Sequence, residues 1–302
     1  MAKKTVSLVL SSGGARGMAH IGAIEALEES GYEIVSIAGS SAGALIGGIY
    51  STGQLDTFKN WICNLDKIDV FSLMDFTISR KGFIKGEKVF NALKSLIEDC
   101  EIEKLKIPFA CNAVKIPSGE EKIFTSGSLY EAIRASISIP TVLTPSKIGE
   151  DEYIDGGIIN PLPFNLIKPT ERGNLLVVVD LNGPKSAFES PSEKEKKESN
   201  LKLPMWLSDY QKKFSNYFYT EQKEEKPKGL SSVELLNYSF DLIQDKLSEM
   251  IIRQHDIDLL VEVSREQAGT LEFHRAAELI EIGKKKMGKA IKKFESGNKR
   301  PQ

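Results

Sequence analysis

At 302 residues, with 41% hydrophobic and 27% charged residues, the chain can bury a substantial core as one large domain or as one domain with an appendage. Its net charge of −2 at pH 7 argues against an electrostatic footprint for nucleic acid, while leaving local basic patches open. Three cysteines, Cys63, Cys100 and Cys111, have neither metal nor redox spacing, so buried thiols in a reducing compartment are expected and no metal or cofactor is implied.

In chain order, residues 5–10 are a short apolar strand pattern running into Ser11-Ser12-Gly13-Gly14-Ala15-Arg16-Gly17, after which residues 18–30 read as helix. Backbone N–H groups in a glycine turn at a helix N-terminus bind anions, either a phosphate or the oxyanion of an ester's tetrahedral intermediate. The turn lacks both the Gly-x-Gly-x-x-Gly spacing of a dinucleotide site and the Lys-Ser/Thr ending of a P-loop, which disfavours nucleotides. A second strand pattern at 33–38 meets a second helical run at 42–52, and Gly39-Ser40-Ser41-Ala42-Gly43 is the joint. A serine on a strand-to-helix elbow is a poised nucleophile, because small flanks at Gly39 and Gly43 avoid clashes and Ser41 Oγ stands at the strand's carboxyl end. In isolation, a glycine-rich turn with a helix-capping serine reads the same way.

Residues 65–86 break periodicity and carry Phe71, Met74, Phe76 and Phe83, as either a cap over a site or a packed loop would. Helical patterns at 87–98 and 129–136 then alternate with strand patterns at 107–114, 122–125 and 175–181. The alternation predicts an α/β fold, a three-layer α/β/α sandwich with a mainly parallel central sheet. Val177-Val178-Val179 is apolar without alternation, as in a strand covered on both faces. Between these elements, Tyr153-Ile154-Asp155-Gly156-Gly157 ends a short strand on a carboxylate, with Gly156 and Gly157 allowing close backbone approach. An aspartate in a tight turn also has a purely structural use.

Taken together, the glycine turn, the Gly-x-Ser-x-Gly elbow and the Asp-Gly-Gly turn resemble, in order, the blocks of the patatin-like phospholipase family. The resemblance implies a Ser-Asp dyad without histidine, with Ser41 as nucleophile and Asp155 as general base, and an oxyanion loop at Gly13, Gly14, Ala15 and Arg16. This sequence reads Ser12-Gly13-Gly14 where the family opens on three glycines. Ala135-Ser136-Ile137-Ser138-Ile139-Pro140 looks like a further family block, whose proline ends a helix near the site. The resemblance spans most of residues 6–181, with 231–283 similar to the helical tail of bacterial members, and implies a hydrolase acting on a phospholipid or lysophospholipid ester. No cofactor or calcium is implied, because no acidic loop has calcium spacing. An acyltransferase with the same nucleophile and a non-catalytic lipid-binding or scaffold protein remain the alternatives.

Composition shifts after Gly183, dividing the chain into a catalytic core over 1–185, an insertion over 186–230 and C-terminal helices over 231–295. Residues 190–200 and 221–228 are charged linkers that bury too little apolar surface to order themselves. Between them, 201–219 places Trp206, Tyr210, Phe214, Tyr217 and Phe218 on one helical face beside Lys212 and Lys213, suited to a membrane surface, to the protein's own core or to a homodimer. Residues 231–262 and 273–294 read as helices, with Leu235, Leu242, Ile243, Met250 and Ile251 in one apolar stripe and Leu279, Ile280 and Met287 in another, both expected to pack on the sheet domain. Lys284, Lys285, Lys286, Lys289, Lys292 and Lys293 form a basic face for solvent or anionic headgroups. His255 and His274 follow Asp155, so a Ser-Asp-His order is formally available, while His20 reads as a helix residue. The first apolar run is shorter than a signal peptide needs, and no stretch approaches ~20 apolar residues. A cytoplasmic protein is the expectation, with a peripheral position at the inner membrane face left open.

Overall fold

The computed structural model describes residues 4–79, 82–183 and 232–297. Its elements run β1 (Lys4–Leu10), α1 (Met18–Glu29), β2 (Tyr32–Ser40), α2 (Ala42–Ser51), α3 (Leu55–Cys63), α4 (Lys67–Leu73), β3 (Phe76–Ser79), β4 (Gly82–Ile84) and α5 (Glu87–Leu96). They continue through β5 (Phe109–Ile116), β6 (Glu121–Phe124), α6 (Leu129–Ser136), β7 (Ser146–Ile148), β8 (Asp151–Asp155), β9 (Leu175–Gly183), α7 (Ser232–Arg253), β10 (Leu259–Ser264) and α8 (Ala276–Glu295). Eight strands form one sheet in the order β10-β9-β1-β2-β5-β8-β7, with β6 pairing β5 off that path. Neighbours from β10 to β5 are parallel, whereas β6, β7 and β8 join antiparallel. The sheet is therefore mainly parallel, flanked by helices, as the alternating pattern predicts.

Both faces of the central strands are covered, which explains their lack of alternation. Val177, Val179 and Leu181 join Leu8 and Leu10 in the large core under α1, α2 and α8. Val9, Leu176 and Val178 point the other way, onto Leu162, Phe164 and the partly buried Ile251 and Ile252 of α7. Each fully buried side chain of this size contributes ~1.5–3 kcal/mol. The residues Leu279, Ile280 and Met287 of α8 are buried as expected, and α8 lies close on α1, with Gly22 against Ile280 and Gly283 against Ala19. Lys284 of the basic face pairs with Glu29 at 2.6 Å.

Several expectations are corrected. The described part of 65–86 is not a plain loop: Asp66 caps α4, accepting from the N–H groups of Ile68 and Asp69, while Asp69 accepts from Asp66 N–H, and β3 and β4 form an antiparallel pair. The helix expected over 231–262 ends at Arg253, and Leu259–Ser264 is a strand on the sheet edge. Asp258 redirects the chain there, its N–H donating to the Leu176 carbonyl and its carboxylate accepting from Leu176 N–H, which sets the register of β10 on β9. The expected α7 stripe faces outward at Leu235, Leu242, Ile243 and Met250, all about half exposed, and only Ile251 packs inward. Of the cysteines, Cys111 is buried, Cys100 half-buried and Cys63 exposed. The insertion 186–230, including the aromatic stretch 201–219, lies outside the described residues. Among the described residues no helix is long and apolar enough to cross a membrane.

Candidate active site

The carboxyl ends of β1 and β2 bring the glycine turn and the serine elbow side by side. At the elbow the chain passes from β2 to α2 against the end of β1 with no room for a side chain. A Cβ on Gly43 would sit 2.1 Å from the Leu10 carbonyl oxygen, and one on Gly39 2.4 Å from the Gly43 oxygen. Ser41 itself takes φ 53° and ψ −115°, a left-handed conformation that a non-glycine residue holds only where its surroundings enforce it. Its N–H donates to Ser136 Oγ at 2.9 Å, tying the elbow to the end of α6.

Sheet register delivers the carboxylate. Ser40 lies opposite Asn112 across β2 and β5, and the next residue of β5, Ala113, lies opposite Asp155 across β5 and β8. Ser41 Oγ donates to Asp155 Oδ2 at 2.5 Å. The other carboxylate oxygen accepts from Gly157 N–H at 2.7 Å, and Asp155 N–H donates to the Ser138 carbonyl at 3.0 Å. Asp155 is only 2% exposed. Burial pushes its carboxyl up to about 7, against the opposing pull of the Ser41 and Gly157 hydrogen bonds. A buried carboxylate near that value takes and returns a proton at neutral pH.

The glycine turn divides its amides. Ala15 N–H donates to the Thr270 carbonyl at 2.9 Å and Arg16 N–H to the Gly13 carbonyl at 3.2 Å. Protein carbonyls thus already engage both of these amides of the expected oxyanion loop. Gly13 and Gly14 N–H have no acceptor among the described residues, and Gly14 lines the same cavity as Ser41 and Ala42. The Arg16 side chain turns inward and donates to the carbonyls of Leu181 at 3.1 Å and Ala268 at 2.9 Å. Burial lowers its guanidinium to about 10, so it stays charged at neutral pH.

None of the three histidines hydrogen-bonds Ser41 or Asp155. His20 is buried beneath the glycine turn, with Nε2 2.9 Å from the Ser11 carbonyl, and burial lowers it to about 4, leaving it neutral and donating there. His255, beyond the end of α7 rather than within a helix, stacks on Phe164 at 4.2 Å between centroids. His274 lies in the short turn before α8. Two supporting residues complete the site: Ser136, within the block expected near the site, accepts from the elbow amide, and Asn112, which carried no sequence signal, donates through Nδ2 to the Gly156 and Asn160 carbonyls at 3.2 and 3.3 Å.

Above Ser41 opens an apolar cavity walled by Leu45, Phe58, Trp61, Val70, Leu93 and Ile139. The short helix α4 and strand β4 contribute Val70, Leu73 and Ile84, so residues 65–86 do lie over the serine. Among the described residues no group of three or more His, Cys, Asp or Glu side chains is placed to hold a metal ion.

A family model described as patatin-like phospholipase matches residues 8–167. The chain is 32% identical over 338 aligned positions to uncharacterized NTE family proteins of Mycobacterium tuberculosis and Mycobacterium bovis, covering 96% of this chain and 92% of those proteins. It is also 32% identical over 182 positions to lysophospholipase NTE1 of Kluyveromyces lactis, covering 58% of this chain and 12% of that protein. Among solved structures, VipD from Legionella pneumophila aligns with 97% of this chain and 67% of its own at 15% identity and a TM-score of 0.47.

Proposed function

Because this chain belongs to the patatin-like phospholipase family, we propose that it is a serine lipid acyl hydrolase cleaving a phospholipid or lysophospholipid ester through a Ser41–Asp155 pair. The observation that carries this reading is the 2.5 Å hydrogen bond from Ser41 Oγ to a carboxylate buried beside an apolar cavity. Ionised Asp155 takes the Ser41 proton as Oγ attacks the ester carbonyl, so that the C–O bond forms as the carbonyl pair moves onto oxygen. Gly13 and Gly14 N–H stabilise that oxyanion, and the N-terminal amide of α2 at Ala42 adds the positive end of the helix dipole. The tetrahedral intermediate collapses, Asp155 returns the proton to the departing lipid oxygen, and water then cleaves the acyl-enzyme by the same route. The cavity takes the acyl chain, since its walls offer apolar contact and little else.

The test measures fatty acid release from phosphatidylcholine and lysophosphatidylcholine vesicles by mass spectrometry for wild type, Ser41→Ala and Asp155→Asn. Each substitution should cut release by at least ~10², with far-UV circular dichroism unchanged. A folded variant that keeps more than about a hundredth of the rate removes its residue from the mechanism.

A further inference from the structure

Helix α7 lies beyond the residues that the family model matches, yet it reaches both halves of the site. Its exposed side is apolar at Leu235, Leu236, Leu242 and Ile243, whereas its buried side carries Gln244 and Ser248. Its last turn packs Ile251 and Ile252 on the sheet, but the two most buried of its described side chains are these polar ones. Gln244 is 6% exposed, and its Nε2 donates to the Gly157 carbonyl at 2.9 Å with Ser12 Oγ a further contact at 3.4 Å. A buried amide is costly unless bonded, so its orientation is fixed by these acceptors.

The two acceptors belong to the segments whose spacing the proposed chemistry depends on. Gly157 N–H holds Asp155 Oδ1, and Ser12 leads directly into Gly13 and Gly14. The segments touch: a Cβ on Gly157 would lie 2.7 Å from Ser12 Cβ. We infer that Gln244 is a positioning residue, clamping the aspartate turn against the oxyanion loop from outside the matched family region. The inference rests on the Ser41–Asp155 reading. With its carbonyl anchored, Gly157 keeps its N–H aimed at Asp155, and Ser12 keeps Gly13 and Gly14 at a fixed distance from Ser41. Gln244 is absent from the walls of the acyl cavity, so its effect falls on turnover rather than on substrate binding.

The test compares wild type, Gln244→Met and Ser248→Ala in steady-state hydrolysis of a soluble short-chain ester, in thermal melts and in amide hydrogen exchange over residues 155–158. Methionine keeps the side-chain length and removes the donor. Ser248 is the control, being buried on the same face with no hydrogen-bond partner for its Oγ among the described residues. Gln244→Met should lose about tenfold in kcat with KM within about twofold and exchange faster at 155–158, while Ser248→Ala matches wild type in all three. An unchanged kcat in folded Gln244→Met overturns the inference, as does an equal loss of kcat and melting temperature in both variants. If wild-type ester hydrolysis does not depend on Ser41, the reaction reading fails by itself. Exchange then decides the clamp, and unchanged protection at 155–158 in Gln244→Met sinks it.

Discussion

The serine elbow and the oxyanion loop lie side by side but are held in opposite ways. The elbow's shape comes mainly from its own pentapeptide crossing the end of β1, where Gly39 and Gly43 permit a contact that no side chain allows, with one distant tie from Ser41 N–H to Ser136 Oγ. The loop, hardly longer, is held from far away. Arg16 reaches carbonyls 165 and 252 positions along the chain, and Ala15 N–H ends on Thr270. On the proposed reading, the attacking serine is shaped mainly by sterics at the strand crossing, whereas the loop that would receive developing charge is set by the complete fold. The first half tolerates no change in volume, and the second is sensitive to distant changes that never touch the motif.

Gly43→Ala tests the local half and should have the largest effect. Its new methyl would stand 2.1 Å from the Leu10 carbonyl, with backbone on both sides, so a loss beyond about 4 kcal/mol is expected. A soluble variant melting within a few degrees of wild type would break the contrast.

Asp155 stands between the two regions, and its burial makes a pH prediction. Its folded pKa, about 7, lies above the unfolded value of 3.8. The fold therefore favours the protonated acid: that stabilisation is full below the unfolded pKa and is lost as pH rises through about 7. Asp155→Asn, which cannot ionise, should gain on wild type between pH 4 and pH 8 by up to about 4 kcal/mol. Urea unfolding at both pH values reads this directly, and an equal gap at the two would contradict it. Wild-type turnover should move oppositely, rising through pH ~7 as the base ionises.

Arg16→Lys probes the remote half. One ammonium keeps the charge but cannot serve the Leu181 and Ala268 carbonyls in the planar fork of a guanidinium, so one buried acceptor is left unpaired at a cost of about 2 kcal/mol. Turnover should fall with it as the loop loosens, and a stable variant with wild-type kcat would show that the distant anchors are dispensable. The smallest effect is expected from His255→Ala. Losing the stack on Phe164 costs about 1 kcal/mol, and ester hydrolysis should continue unchanged; collapse of activity in the folded variant would restore a histidine to the mechanism.

The same contrast explains what was legible in the sequence. Strand and helix bounds near the glycine blocks follow from local pattern: β1, α1, β2, α2 and α6 lie within a residue or two of where periodicity puts them. Residues 254–262 were not legible, because Leu259 to Val263 continues an apolar pattern that suits helix or strand, and only the edge of β9 decides. Nor did the stripe on α7 reveal which side faces in. Polar backbone at Gly157 selects Gln244 for the inside, and that acceptor lies 87 positions away. The amides of Ala15 and Arg16 teach the same point, since nothing in Gly13-Gly14-Ala15-Arg16 announces that Thr270 will take one of them.

The pairing of α1 with α8, and of Ala15 with Thr270, has a consequence for the order in which the protein comes into being. On a ribosome, Ser12 to Gly17 emerges near the start, while its acceptors at Ala268 and Thr270 follow only after some tens of seconds, at roughly 5–20 residues per second. Through that interval the nascent chain already carries Ser41, and for much of it Asp155, but the loop that would receive the oxyanion lacks its anchors, and the edge of β9 waits for β10. On the proposed reading, catalytic competence therefore waits for the C-terminal segment. A chain stalled between Gly183 and Thr270 would present Ser41 beside a glycine turn that lacks its Ala268 and Thr270 anchors.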